Sequence, residues 1–213
     1  MNIETVWATS RRMAPPLTLV AATGNRSFET GPMVTAFAPG QTLLRAGEHG
    51  VLWRVTSGAF RVERQGDDAS TLIQLALPGD RVGLESLLAQ PYAVTVSALV
   101  ASTAWIESVH DEAARLMVLA DILAQQQRQA QDMARLRSGP VTDRLTWLVH
   151  WLGGGIDNPM ARKALPSLKE MAQLVDSAPE TVCRELGRLM PSQKTPHRRR
   201  ATSRTRAASL AAA

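Results

Sequence analysis

Read for alternation of apolar and polar positions, the chain divides into stretches of different period. Residues 1–30 keep no sustained period and hold several turn formers, which predicts an N-terminal arm. From residue 31 to 108 the pattern is one of short apolar runs broken by glycine and proline. Leu52-Trp53-Arg54-Val55 precedes Ser57-Gly58, and Phe60-Arg61-Val62-Glu63 alternates inward and outward. After the turn Gly66-Asp67-Asp68 come Thr71-Leu72-Ile73-Gln74-Leu75, Pro78-Gly79-Asp80 and a further strand over Val94–Val100. Strands this short, with turns at this spacing, predict a compact antiparallel unit.

The period then changes to a helical one over 109–137. Leu116, Leu123 and Ala130 share one heptad position, and Leu119, Gln126 and Met133 share another. That is an a/d seam about three heptads long. Two arrangements fit it: pairing with a second copy of the chain, which the length and the seam favour, or packing on the preceding domain. Ser138-Gly139-Pro140 breaks the helix and makes a hinge. A helix over 141–152 puts Val141, Leu145, Leu148 and Leu152 on one face and Trp147 and Trp151 on the neighbouring one, a spacing that indicates packing. Gly153-Gly154-Gly155 ends it.

Two shorter helices follow, at about 168–175 and 179–190. Ser167 and Glu170 make a capping box at the start of the first, and Met171, Leu174 and Val175 form its buried face. Asp176-Ser177-Ala178 turns the chain, and Pro179 suits the first helical position of the second. There Val182, Leu186 and Leu189 face inward, leaving Glu180, Cys183, Arg184 and Arg188 outside. Two short helices, a tight turn and polar residues on the second helix predict a helix-turn-helix. If the turn at Asp176 needs positive φ, Asp is among the more tolerated residues there, and Ala178 is a poor N-cap, which shifts the expected cap to Ser177. The fold class is therefore α+β: an N-terminal antiparallel, jelly-roll-like β-roll, a long dimerisation helix and a C-terminal helix-turn-helix domain at 138–190 without a clear wing.

Charge changes this picture in one place. The net charge of +5 includes Lys194, Arg198, Arg199, Arg200, Arg204 and Arg206, and residues 191–213 hold no acid. Without those six the chain carries 18 basic and 19 acidic side chains. The basicity belongs to the tail, so overall charge is no argument that the folded part binds nucleic acid. The tail has one large apolar side chain, Leu210, and cannot bury a core. It is either an arginine-rich arm that holds phosphates or the product of a frameshifted reading frame, which the abrupt change of composition favours.

Composition narrows the chemistry. No window approaches eighteen consecutive apolar residues, so no membrane span is expected. Arg11-Arg12 resembles a twin-arginine signal, but the apolar run after it is short and holds Pro15-Pro16, which indicates an uncleaved arm. Cys183 is the single cysteine, which rules out an intrachain disulfide and argues against a cysteine-held iron–sulfur cluster; a cytoplasmic location fits. A metal-dependent enzyme on a similar roll needs a cluster of histidines and carboxylates, and the roll offers His49 alone, with His110 just beyond it. No Ser-His-Asp, Walker or glycine-rich phosphate motif occurs, so no enzyme is expected.

With these elements in order, Glu180-Thr181-Val182-Cys183-Arg184, Leu186 and Leu189, placed after Ser167 and Glu170-Met171-Ala172, resemble the recognition motif of the Crp/Fnr family. Phe37, Pro39-Gly40-Gln41, Gly47-Glu48, Trp53, Val55, Ser57-Gly58, Pro78-Gly79-Asp80 and Val82-Gly83 are similar to the turns of that family's cyclic-nucleotide-binding-type roll. The resemblance covers roughly residues 35–190 and is closest to the Fnr-like branch. It implies a homodimer paired through 109–137 that reads palindromic double-stranded DNA, with RNA polymerase as a further candidate partner. It places Glu180 and Arg184 at base-reading positions, and Thr181, Cys183, Arg188 and Ser167 in the DNA-binding set. Arginine can pair with guanine O6 and N7, and glutamate can accept from cytosine N4.

Departures from the family pattern matter as much. Gly83-Leu84 stands where nucleotide-binding members hold ribose with Gly-Glu, and Tyr92-Ala93 stands near their phosphate-binding Arg-Ser. A cyclic phosphate without a cation or hydroxyl donor binds poorly, which argues against cAMP. Haem stays open, with His49, His110, methionines and Cys183 as candidate ligands. Pro179 replaces an arginine of some relatives, and the tail stands where a wing would begin. The second reading these departures support is a ligand-binding roll with an impaired DNA-binding domain.

Overall fold

The computed structural model describes residues 33–66, 69–153 and 164–191. The arm at 1–30, Asp67-Asp68, Gly154-Gly155 and the basic tail beyond Pro191 lie outside the described residues.

Eight short strands build the roll: β1 (Val34–Phe37), β2 (Thr42–Leu44), β3 (Trp53–Ser57), β4 (Phe60–Gln65), β5 (Ser70–Ala76), β6 (Arg81–Val82), β7 (Thr95–Ala98) and β8 (Ser102–Ile106). They form two four-stranded antiparallel sheets, ordered β1-β8-β3-β6 and β2-β7-β4-β5. Strict alternation in β4 sends Phe60 and Val62 inward and turns Arg61 and Glu63 outward. Phe37, Leu44, Val55, Phe60, Val62, Val96 and Ala104 fill the space between the sheets. Phe37 meets Trp53 and Phe60 edge-on, with ring centroids 5.9 Å and 5.6 Å apart.

The long helix α1 (Glu112–Arg137) starts at Asp111, whose Oδ1 accepts from the Ala114 amide. It ends before Gly139, at φ +84°. Its own chain buries one face in three tiers. Val118 and Ile122 pack with Leu52; Gln125 and Gln129 meet the backbone and side chain of Arg81 and Asp80; Met133 and Leu136 enter the largest core. This corrects the seam. Met133, expected beside Leu119, is buried within the chain, whereas Leu116, Leu119 and Leu123 remain exposed at 60%, 39% and 67%. A straight helix drifts about 20° per heptad from a 3.5-residue repeat, so two heptads carry Met133 onto the inner face.

Three helices follow: α2 (Val141–Gly153), α3 (Leu168–Leu174) and α4 (Pro179–Leu189). Leu145, Leu148, Val149, Met171, Leu174, Val182 and Leu186 form one core with Leu75, Leu77 and Val100 of the roll and with Met133 and Leu136 of α1. Trp147 and Trp151 do pack, 6.3 Å apart, and Arg135 lies 5.1 Å over the Trp147 ring.

Candidate nucleic-acid interface and effector pocket

The capping box at the start of α3 is formed in both directions. The Glu170 amide donates to Ser167 Oγ at 3.3 Å, and the Ser167 amide donates to Glu170 Oε2 at 3.0 Å. Glu170 Oε1 also lies 3.9 Å from Arg61 Nη1 on β4, which joins the roll to α3. The turn places Asp176 at φ +47°, in the left-handed region that aspartate tolerates better than most residues. Arg144 of α2 donates to the carbonyls of Val175 and Asp176 and clamps this turn from below. Ser177 does not take over the cap. The N-cap of α4 is Ala178, without a side-chain hydrogen bond, because the chain enters the helix one residue later and a methyl group has nothing to accept with.

On α4, Val182 and Leu186 are buried, and Glu180, Cys183, Arg184 and Arg188 are exposed on the opposite side, with Thr181 half-buried between. The structure thus brings five of the six assigned residues together on one helix, and Ser167 stands apart at the start of α3. Between α3 and α4 runs an open groove of about 530 Å³, lined by Lys169, Gln173, Ser177 and Pro179. Lys169 and Gln173 were missed in the sequence. The available signal was their i,i+4 spacing on the face of α3 opposite Met171 and Leu174.

Glu185 was also missed. It lies at 9% exposure beneath the outward face of α4. Its Oε2 accepts from Thr142 Oγ1 at 3.1 Å, and its Oε1 accepts from Arg188 Nη1 at 2.9 Å and lies 3.5 Å from Arg184 Nε. Desolvation raises its pKa, but the Thr142 hydrogen bond and the two guanidinium groups outweigh that and hold the carboxyl below the ordinary glutamate range. Arg184 is therefore paired with its neighbour in sequence; among the described residues no ion pair joins it to Glu180.

Inside the roll, the segment that departs from the nucleotide-binding pattern forms a 3-10 helix, Leu84–Leu88, and returns through Tyr92. Tyr92 is buried in the roll core and donates to the Val51 carbonyl at 2.8 Å. Burial raises its pKa, opposed in part by that hydrogen bond. The ring needs glycine on both sides. A Cβ at Gly50 would sit 2.1 Å from Tyr92 Oη, and one at Gly83 would sit 2.9 Å from its Cε1. Glu85 Oε1 accepts from the Ala93 amide at 3.0 Å and closes the segment on itself.

Outside the roll, a cleft of about 460 Å³ opens between the 3-10 helix and the start of α1, lined by Leu52, Leu87, Ile106, His110 and Arg115. Arg115 donates to the Leu87 carbonyl across it. Of the two histidines that are candidate haem ligands, His110 lines this cleft and His49 does not. Among the described residues, no three His, Cys, Asp or Glu side chains are grouped to hold a metal ion, and no helix is long and apolar enough to cross a membrane.

A family model described as the cyclic nucleotide-binding domain matches residues 34–110. No curated protein matches the chain. Among solved structures, TTHB099, a CRP-family transcriptional regulator from Thermus thermophilus, is 27% identical, with 73% of this chain and 83% of that chain covered and a TM-score of 0.52. TTHA1359, a CRP/FNR-family regulator from the same organism, is 23% identical over 74% of this chain and 85% of its own, with a TM-score of 0.53. FixK2 from Bradyrhizobium japonicum is 20% identical over 75% and 84%, with a TM-score of 0.52. Residues 34–110 therefore match the cyclic nucleotide-binding domain, and about three quarters of the chain shares the fold of these CRP/FNR-type transcriptional regulators.

Proposed function

We propose that this chain is a dimeric, sequence-specific DNA-binding transcription regulator that reads a palindromic site with α4. The division of labour is a sensor at 31–108, a dimerisation helix at 109–137 and a DNA-binding unit at 138–190. The observation that carries the proposal is α4 itself. Its apolar residues are spent on the core, and Glu180, Cys183, Arg184 and Arg188 are presented outward on the second helix of a helix-turn-helix. Glu180 and Arg184 address bases; Arg188, Thr181, Cys183 and Ser167 contribute the neighbouring contacts, most of them to phosphate and sugar. The exposed Leu116, Leu119 and Leu123 supply the face for a second copy. RNA polymerase and a cytoplasmic setting go with this reading.

The sensor answers to something other than cAMP. Tyr92 supports this, because its ring lies in the roll interior and it brings no cation for a phosphate.

The test is selection of a binding sequence from random duplex DNA by the full chain. Arg184→Ala is then expected to cost about 1–3 kcal/mol at one G·C pair per half-site and to relax selectivity there. A neutral Arg184→Ala variant would remove the base-reading role. A protein that enriches no sequence would instead be the ligand-binding module with an impaired DNA-binding domain, a reading favoured by the uncapped start of α4.

A further inference from the structure

We propose that Glu185 is a positioning residue of the reading surface: it orients Arg184 and Arg188 and ties them to the first turn after the hinge. The inference rests on Arg184 reading a base, as put forward above.

A carboxylate in a DNA-facing helix is a liability, because phosphates repel it. Glu185 escapes this by turning inward, where it is 9% exposed, while the two cations that bracket it on α4 stay in solvent. Its two oxygens divide the work. Oε1 accepts from Arg188 Nη1 at 2.9 Å and holds Arg184 Nε at 3.5 Å. Oε2 accepts from Thr142 Oγ1 at 3.1 Å. Contact at Nε leaves both Nη groups of Arg184, the end of the fork, for a pair of acceptors on a base. An unanchored arginine must lose its rotamer freedom when it binds; one already held has less to lose. Thr142 is the second residue of α2, which begins just beyond Gly139 and Pro140, so the anchor's other end is set by the hinge.

A purely structural role would have Glu185 do no more than join α4 to α2. The two roles separate in selectivity. The full chain is titrated with its selected duplex, with that duplex carrying A·T in place of the G·C pair assigned to Arg184, and with scrambled DNA. Glu185→Gln keeps the shape and can still accept from Thr142, but it loses the charge that holds the guanidinium groups. Discrimination between the first two duplexes is expected to fall about fivefold, while affinity for scrambled DNA holds or rises, because a negative charge near phosphates has gone. In an Arg184→Ala background, Glu185→Gln should change discrimination no further. Thr142→Val, which keeps the carboxylate but frees its hinge side, should lower discrimination in the same direction by less.

A lowered melting temperature with discrimination intact in both Glu185→Gln and Thr142→Val would overturn the inference and leave Glu185 as packing. Should Arg184→Ala itself leave discrimination unchanged, the base-reading proposal fails and the inference goes with it. Loss of discrimination in Arg184→Ala but not in Glu185→Gln sinks the inference alone.

Discussion

Gln125 of the long helix and Arg81 of the roll exchange two hydrogen bonds, each 2.8 Å: the Arg81 amide donates to Gln125 Oε1, and Gln125 Nε2 donates to the Arg81 carbonyl. The side chain behaves as one more rung of a sheet, and it is 2% exposed. Around it, Arg81 makes a two-pronged pair with Glu107 at 2.8 Å and 2.9 Å and reaches Asp121 at 3.2 Å. Burial works against the charge of Arg81, but these partners more than offset it and raise its pKa. Asp80 accepts from Arg128 and Gln129 one turn further on.

Gln125→Leu is therefore expected to destabilise the chain although it adds apolar surface. It strands a buried amide and a buried carbonyl, which costs about 1–3 kcal/mol for such groups. Denaturant unfolding at constant m-value checks the figure; equal or greater stability would mean that water replaces the amide.

The exposed leucines of α1 set the second expectation. Leu119→Asp together with Leu123→Asp should give monomers by sedimentation, because it puts like charges into the proposed seam without touching the buried face of Val118, Ile122 and Met133. Met133→Ala should instead act within one chain, costing about 2–5 kcal/mol of stability as a core truncation and leaving association intact. An unchanged dimer in the first variant would move the interface elsewhere.

Calorimetry with cAMP is expected to show no micromolar binding. Tyr92 fills the roll beside Gly50 and Gly83, and Glu85 closes the segment through the Ala93 amide. Micromolar affinity would mean that Tyr92 swings out to admit the nucleotide.

Acid should act through Glu185. Desolvation pushes its carboxyl up, but Thr142, Arg188 and Arg184 together hold it below the ordinary range. A depressed folded pKa contributes stability above the unfolded value, and that contribution is lost as pH falls through the folded one. The stability advantage of the native chain over Glu185→Gln should therefore shrink as pH falls through the ordinary glutamate range and below it. An advantage that stays constant or grows over that interval would contradict the assignment.

The sequence by itself determined whatever depends on neighbours a few residues apart. Strands β3, β4, β5 and β7, the capping box of Ser167 and Glu170 and the outward face of α4 follow from local period, turn chemistry and caps, whereas β1, β2, β6 and β8 carry too short a pattern to be read alone. Tertiary structure decided what depends on distant partners. Glutamine carries no sign of burial in its local pattern, and the roll backbone 44 residues away in the chain makes Gln125 an interior residue. Glu185 is drawn inward because the fold brings Thr142, 43 residues earlier, beneath it. Tyr92 occupies the roll because Gly50 and Gly83 come to lie on either side of its ring. Met133 left the predicted seam because a repeat of 3.6 residues per turn, and not 3.5, carries it onto the face that packs on its own chain. Polarity marks what a residue can do, and only packing decides which side of it meets water.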